Sequence, residues 1–171
     1  MALQIPGLIL PHRPLTNFEK RISNFAERLV NRDGEESWDI NTKSLNLTLE
    51  SATPSPHPQI TFLLTITPKH CNMLGNLHGG CAATLIDVLS SIILLGVSEP
   101  GLYESGGVSR HLDVTYLRPV PSGVTVRLVS RVVHVGRRLA LLRTEILRME
   151  DGAVCVVSDH EKANTDLGGR I

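Results

Sequence analysis

Between Lys69 and Glu99 the chain carries one charged side chain, Asp87, set in the run TLIDVLSSIILL. Apolar residues fall on every side of such a helix, so it has no solvent face and must be covered all round. The pattern predicts one long core helix over residues 78–97, stopped by Glu99-Pro100-Gly101. A bare carboxylate among leucines and isoleucines is costly to bury, so Asp87 needs a partner or a task. Thr84, Asp87 and Ser91 are spaced to share one face, giving the helix a narrow polar seam that suits a cleft. Burial would raise the carboxyl pKa and polar donors would lower it. A carboxylate so placed suits a general base or a nucleophile; the alternative is a structural aspartate bonded to a neighbouring strand.

The flanking sequence supplies the cover. After the helix, residues 108–118, 124–135, 139–149 and 153–161 read as strands. The short connections 119–123, 136–138 and 150–152 predict a meander of antiparallel neighbours. Before it, Leu45, Leu47 and Leu49 alternate with polar residues within a two-strand region, 37–67. The proline-rich Thr53-Pro54-Ser55-Pro56-His57-Pro58 breaks that region. Further upstream, Phe18, Ile22, Phe25 and Leu29 form one stripe of a helix over 17–31, capped by Thr16 or Asn17. Asp33-Gly34-Glu35-Glu36 is a turn, and residues 162–171 a loose tail. The expected architecture is α+β: a curved antiparallel sheet wrapped round one long central helix. An N-terminal arm and accessory helix (1–36) precede the main domain (37–171). Open sheet edges invite pairing with a second copy.

The helix is entered through HCNMLGNLHGG, residues 70–80. Paired glycines allow close approach to the backbone. The first helical turn leaves N–H groups unpaired at the positive end of the helix dipole, a cradle for an anion or a developing oxyanion. Gly79 and Asp87 are eight residues apart, roughly 12 Å along the axis at 1.5 Å per residue. One small carbonyl is not spanned by both, so a second copy across a two-fold axis is expected to supply the missing half.

Other chemistries fit less well. Lysines plus arginines equal aspartates plus glutamates, 17 each, and aromatics are 4% of the chain, which disfavours a nucleic-acid surface. Cys71, Cys81 and Cys155 form no disulfide framework; they point to a reducing compartment and read as small buried hydrophobes rather than nucleophiles. His70 and His78 lack the further ligands that a metal needs. The charge-free stretch 71–86 is short and holds Asn72, Asn76, His78 and two glycines, so no membrane span is expected. The N-terminus has no basic region before its apolar stretch, which disfavours a secretory signal. A cytoplasmic location is expected, with the mitochondrion as the alternative because no acid precedes Glu19.

The block HCNMLGNLHGGCAATLID resembles the signature of hotdog-fold acyl-CoA thioesterases of the phenylacetyl-CoA and 4-hydroxybenzoyl-CoA branch. GGVSRHLDVTYLRPV resembles the strand that follows the helix in that family. The resemblance covers residues 60–162 and implies hydrolysis of acyl-CoA to free acid and CoA. It implies that the Gly79 N–H polarises the thioester carbonyl, with Gly80 beside it and His78 fixing the turn. Asn72 would orient the thioester or the water, Asp87 would act as general base or nucleophile, and Ser109 would position water or the carboxylate. It further implies that glycine and asparagine come from one subunit and the acid and serine from its partner. A homodimer is then the minimal unit and a homotetramer the expected assembly. No cofactor is implied; CoA enters as part of the substrate. Arg118, Arg137 and Arg138 are candidates to bind its phosphates. Arg110 and His111 depart from the family pattern and would polarise or narrow the acyl pocket. A non-catalytic acyl-CoA-binding module and a hotdog dehydratase or hydratase are the competing readings.

Overall fold

The computed structural model describes residues 7–30 and 45–166. The expected turn at 33–36, the proposed boundary at 36/37 and half of the expected tail, 167–171, lie outside them; Lys162 and Ala163, expected in that tail, end the last strand and are buried. Strand β1 (Leu8–Ile9) leads to helix α1 (Asn17–Val30), β2 (Leu47–Thr53) and β3 (Gln59–Thr65). Helix α2 (Gly79–Val97) follows, then β4 (Val108–Tyr116), β5 (Thr125–Val135), β6 (Leu139–Arg148) and β7 (Val154–Ala163). The strands form one sheet in the order β1-β2-β3-β5-β6-β7-β4.

The sheet curls round α2, whose Leu85, Ile86, Leu89, Ile92, Ile93 and Leu94 are buried. By length and composition α2 could cross a bilayer; here the inward residues of the sheet, among them Phe62, Leu128, Leu142 and Ile146, cover it.

Three expectations are corrected. The sheet is mixed, because β1 pairs with β2 in parallel. The strand expected to include Leu45 starts at Leu47, since Asn46 takes a left-handed backbone (φ 45°) that breaks the extended run. Above all, β4 is not paired with β5: it lies at the sheet edge against β7, while β5 pairs with β3. The reason lies in the linker, where Pro119 and Pro121 lack the N–H groups a hairpin ladder needs. The linker ties instead to the loop before α2, through Leu77 N–H to Val120 O (2.8 Å) and Ser122 N–H to Gly75 O (3.0 Å).

Helix α1 starts where its cap predicts. Glu19 N–H donates to Thr16 Oγ1 (3.1 Å) and Thr16 N–H to Glu19 Oε2 (2.9 Å), a reciprocal cap reinforced by Arg13. Its stripe packs on α2 at Gly96, where an added Cβ would stand 2.4 Å from Ile22 Cδ1.

Candidate active site

The loop before α2 is built by side-chain to backbone bonds. His70 is buried; its Nδ1 accepts the Thr67 N–H (3.0 Å), and its carbonyl accepts the His78 N–H (2.8 Å). His70 thus shapes the loop. Asn72 Oδ1 accepts the N–H groups of Leu74 (2.9 Å) and Asn76 (3.3 Å), which turns its NH2 outward from the loop. His78 caps α2: its Nδ1 accepts the Gly80 N–H at 3.0 Å. The N–H of Gly79, first in the helix, has no intrahelical acceptor. Asn72 and Gly79 line a cleft of about 430 Å³ together with Tyr116 and Arg118. Tyr116 closes over Gly79, donating to its carbonyl at 2.8 Å, and an added Cβ there would meet the phenol at 3.3 Å.

The carboxylate lies elsewhere. Ser109 donates to Asp87 Oδ1 at 2.5 Å. His160 Nε2 is 3.1 Å from the same oxygen and 3.0 Å from Ser109 Oγ, while its Nδ1 is 2.8 Å from Ser90 Oγ. Lys162 Nζ donates to Ser91 Oγ (2.9 Å) and Ser109 Oγ (3.3 Å). An ammonium only donates, so the Ser109 hydrogen is directed at Asp87. The hydroxyls of the expected polar seam turn back to the helix, Thr84 to Gly80 O (2.9 Å) and Ser91 to Asp87 O (2.7 Å).

Asp87 is not the buried residue the sequence suggests: its side chain is 42% exposed and borders an open cleft with Phe25, Val88 and Leu95. Its pKa falls from 3.8 to about 2, chiefly through the His160 hydrogen bond, with Ser109 and the Lys162 charge adding and burial opposing. Burial holds the Lys162 ammonium below its ordinary range, with the Asp87 charge opposing the shift.

His160, Lys162 and Tyr116 escaped the sequence reading. The signal was present on β7, where Val156, Ser158, His160 and Lys162 alternate onto the buried face. Two ionisable residues in succession on a core face mark a site. The register places Lys162 opposite Ser109, and a bulge at Arg110 lies between Ser109 and His111. Arg110 pairs with Glu161 (2.7 Å) on an exposed face, which corrects the expectation that it polarises the acyl pocket; His111 is exposed beside it.

In one chain Gly79 and Asp87 border separate clefts that share no lining residue. The Asp87 cleft is about 490 Å³. The arginines divide likewise. Arg118 donates to Val154 O (2.7 Å) beside the Gly79 cleft. Arg137 and Arg138 are exposed in the β5–β6 turn, where Asn164 bonds to both carbonyls (3.0 and 2.9 Å) at the Ser109 end of the sheet. The cysteines are free thiols; burial raises Cys81 to about 11 and Cys155 upward, which removes thiolate character. Among the described residues no group of three or more His, Cys, Asp or Glu could hold a metal.

The thioesterase superfamily profile matches residues 74–155, spanning the Gly79 turn, α2, Asp87 and Ser109. Acyl-coenzyme A thioesterase 13 of Homo sapiens is 30% identical over 116 residues, 68% of this chain and 78% of that protein. The chain belongs to the thioesterase superfamily. Structural neighbours agree on the hotdog thioesterase fold. Thioesterase superfamily member 2 of zebra fish superposes with a TM-score of 0.72 at 23% identity, over 84% of this chain and 97% of that one. A Streptococcus pneumoniae thioesterase protein solved with coenzyme A gives 0.61 at 19% identity, over 70% and 85%.

Proposed function

We propose that the protein hydrolyses acyl-CoA thioesters to the free acid and CoA, in a site completed by two copies of the chain. The observation that carries this is the division of the machinery. An oxyanion cradle (Gly79 N–H with the Asn72 amide) and an ionised carboxylate (Asp87 with Ser109, His160 and Lys162) border separate clefts of a thioesterase-superfamily fold. The names of the relative and of the structure solved with coenzyme A support CoA thioesters as the substrate class.

The thioester carbonyl oxygen sits against the Gly79 N–H, where the dipole of α2 stabilises the negative charge that develops. Asn72 adds a donor from the same loop. The partner copy brings Asp87 to the carbonyl carbon. Oδ1 is held by Ser109 and His160, so Oδ2 is the acting oxygen. It takes a proton from water as the hydroxide adds, or it attacks the carbon itself and water then cleaves the mixed anhydride. In either form the C–S bond breaks, CoA leaves as its thiolate and takes up the proton, and water supplies the second acid oxygen. Arg118 from one copy and Arg137 and Arg138 from the other hold the CoA phosphates.

The test is thiol release from short-chain, long-chain and aromatic acyl-CoAs by wild type and Asp87→Asn. Wild type is expected to turn over at least one class, with Asp87→Asn slower by about 10²–10⁴-fold while folded. Tight binding of acyl-CoA without release by wild type would instead favour the binding-module reading.

A further inference from the structure

We infer that the acyl chain of the substrate lies between α1 and α2, in the cleft that opens beside Asp87, and that Phe25, Leu29 and Val88 set the chain length accepted. The inference rests on the acyl-CoA reading above and deepens it.

The two helices are fastened at one end. Gly96 admits Ile22 and Phe18 against the α2 backbone, and Arg21 donates to Ser98 O (3.0 Å) at the α2 C-terminus. From there α1 runs back toward Asp87, because its later residues Phe25, Arg28 and Leu29 line a cleft with the earlier α2 residues Asp87, Val88, Ser91 and Ile92. The cleft extends along α2 from Asp87 to Leu95, roughly 12 Å by helical rise. Its volume of about 490 Å³ falls in the range of ligand sites.

Its walls suit hydrocarbon. Phe25, Leu29, Val88, Ile92 and Leu95 are apolar. The Ser91 hydroxyl is spent on Asp87 O and Lys162. The Arg28 guanidinium stacks 5.7 Å from the Phe25 ring centroid, and the Glu104 carboxylate holds the Gly101 N–H. An acidic rim at Glu104 and a single stacked arginine make a poor seat for the phosphates of CoA. Arg118 borders the other cleft. With the carbonyl carbon at Asp87, the CoA end therefore leaves toward the Gly79 cleft and the acyl end enters between the helices. The accessory helix thus becomes one wall of the specificity pocket.

The experiment is a chain-length profile of kcat/KM from acetyl-CoA to palmitoyl-CoA for wild type, Val88→Phe and Phe25→Ala, each checked for fold by circular dichroism. Wild type is expected to gain about fourfold per methylene held in the cleft, equivalent to ~0.8 kcal/mol, until the cleft is full. Val88→Phe, which fills the cleft, should lose tenfold or more on long chains relative to its own acetyl-CoA turnover. Phe25→Ala should move the optimum to longer or bulkier chains. Equal loss at every chain length in folded variants, or an unchanged profile in both, would overturn the acyl pocket and leave hydrolysis standing. No hydrolysis of any acyl-CoA by wild type would overturn both readings. If Val88→Phe fails to fold, the Phe25→Ala profile alone decides.

Discussion

Two inactive variants, mixed, should restore activity. Asn72→Asp keeps the Oδ1 acceptor that closes the loop onto Leu74 and Asn76 but replaces the free NH2 with a carboxylate oxygen, which repels the developing oxyanion. Asp87→Asn removes the acting carboxylate. The residues border clefts that share no lining residue, and Gly79 and Asp87 stand roughly 12 Å apart along one helix. In a two-fold dimer each site takes Asn72 from one copy and Asp87 from the other, so a heterodimer holds one intact site and one doubly damaged site. Random reassortment makes half of the dimers heterodimers, each with half its sites working, so about one quarter of wild-type turnover should return. The assay is thiol release after co-refolding equal amounts of the variants, with native mass spectrometry counting heterodimers by a tag on one chain. Abundant heterodimers with no more activity than either parent would refute a site shared between copies.

Two further outcomes follow from the single chain. Gly107 has φ +66°, and an added Cβ would fall 2.5 Å from Ala163 O, whereas Gly123 (φ +89°) has nothing within 4 Å. Urea unfolding should find Gly123→Ala weaker by ~1–2 kcal/mol from backbone strain alone and Gly107→Ala weaker still, because β7 must move. Asp87 has a folded pKa of about 2 against an ordinary 3.8, so its contribution to stability is present above the ordinary value and lost as pH falls through the folded one. The gap in urea midpoint between wild type and Asp87→Asn should be flat above about pH 5 and close between pH 4 and 2, by less than the full shift because the carboxyl is 42% exposed and screened.

The sequence carried the core helix, its cap and the accessory stripe because each is a local periodic pattern. Asp87 and the Gly79 turn stand out as candidates within one segment, whereas Asn72 enters only through the family resemblance. What the sequence missed is long-range. The pairing of β4 with β7 depends on which strand captures a proline-bound linker. The packing of β7 on α2 brings His160 onto Asp87, more than seventy residues earlier in the chain, and the β4 pairing adds Ser109 to both. Tyr116 is hidden for the same reason: it meets Gly79 only once β4 lies along the helix.

The exposed carboxylate has a chemical consequence. In the single chain the donors win: His160, Ser109 and Lys162 outweigh burial and hold Asp87 near 2, where it is a feeble base at neutral pH. The part of Asp87 still open to water borders the cleft between α1 and α2, where the acyl chain is proposed to lie. An apolar chain seated there strips water from the carboxylate, and desolvation acts against the donors and raises its pKa. Substrate binding would therefore strengthen the base that the reaction needs.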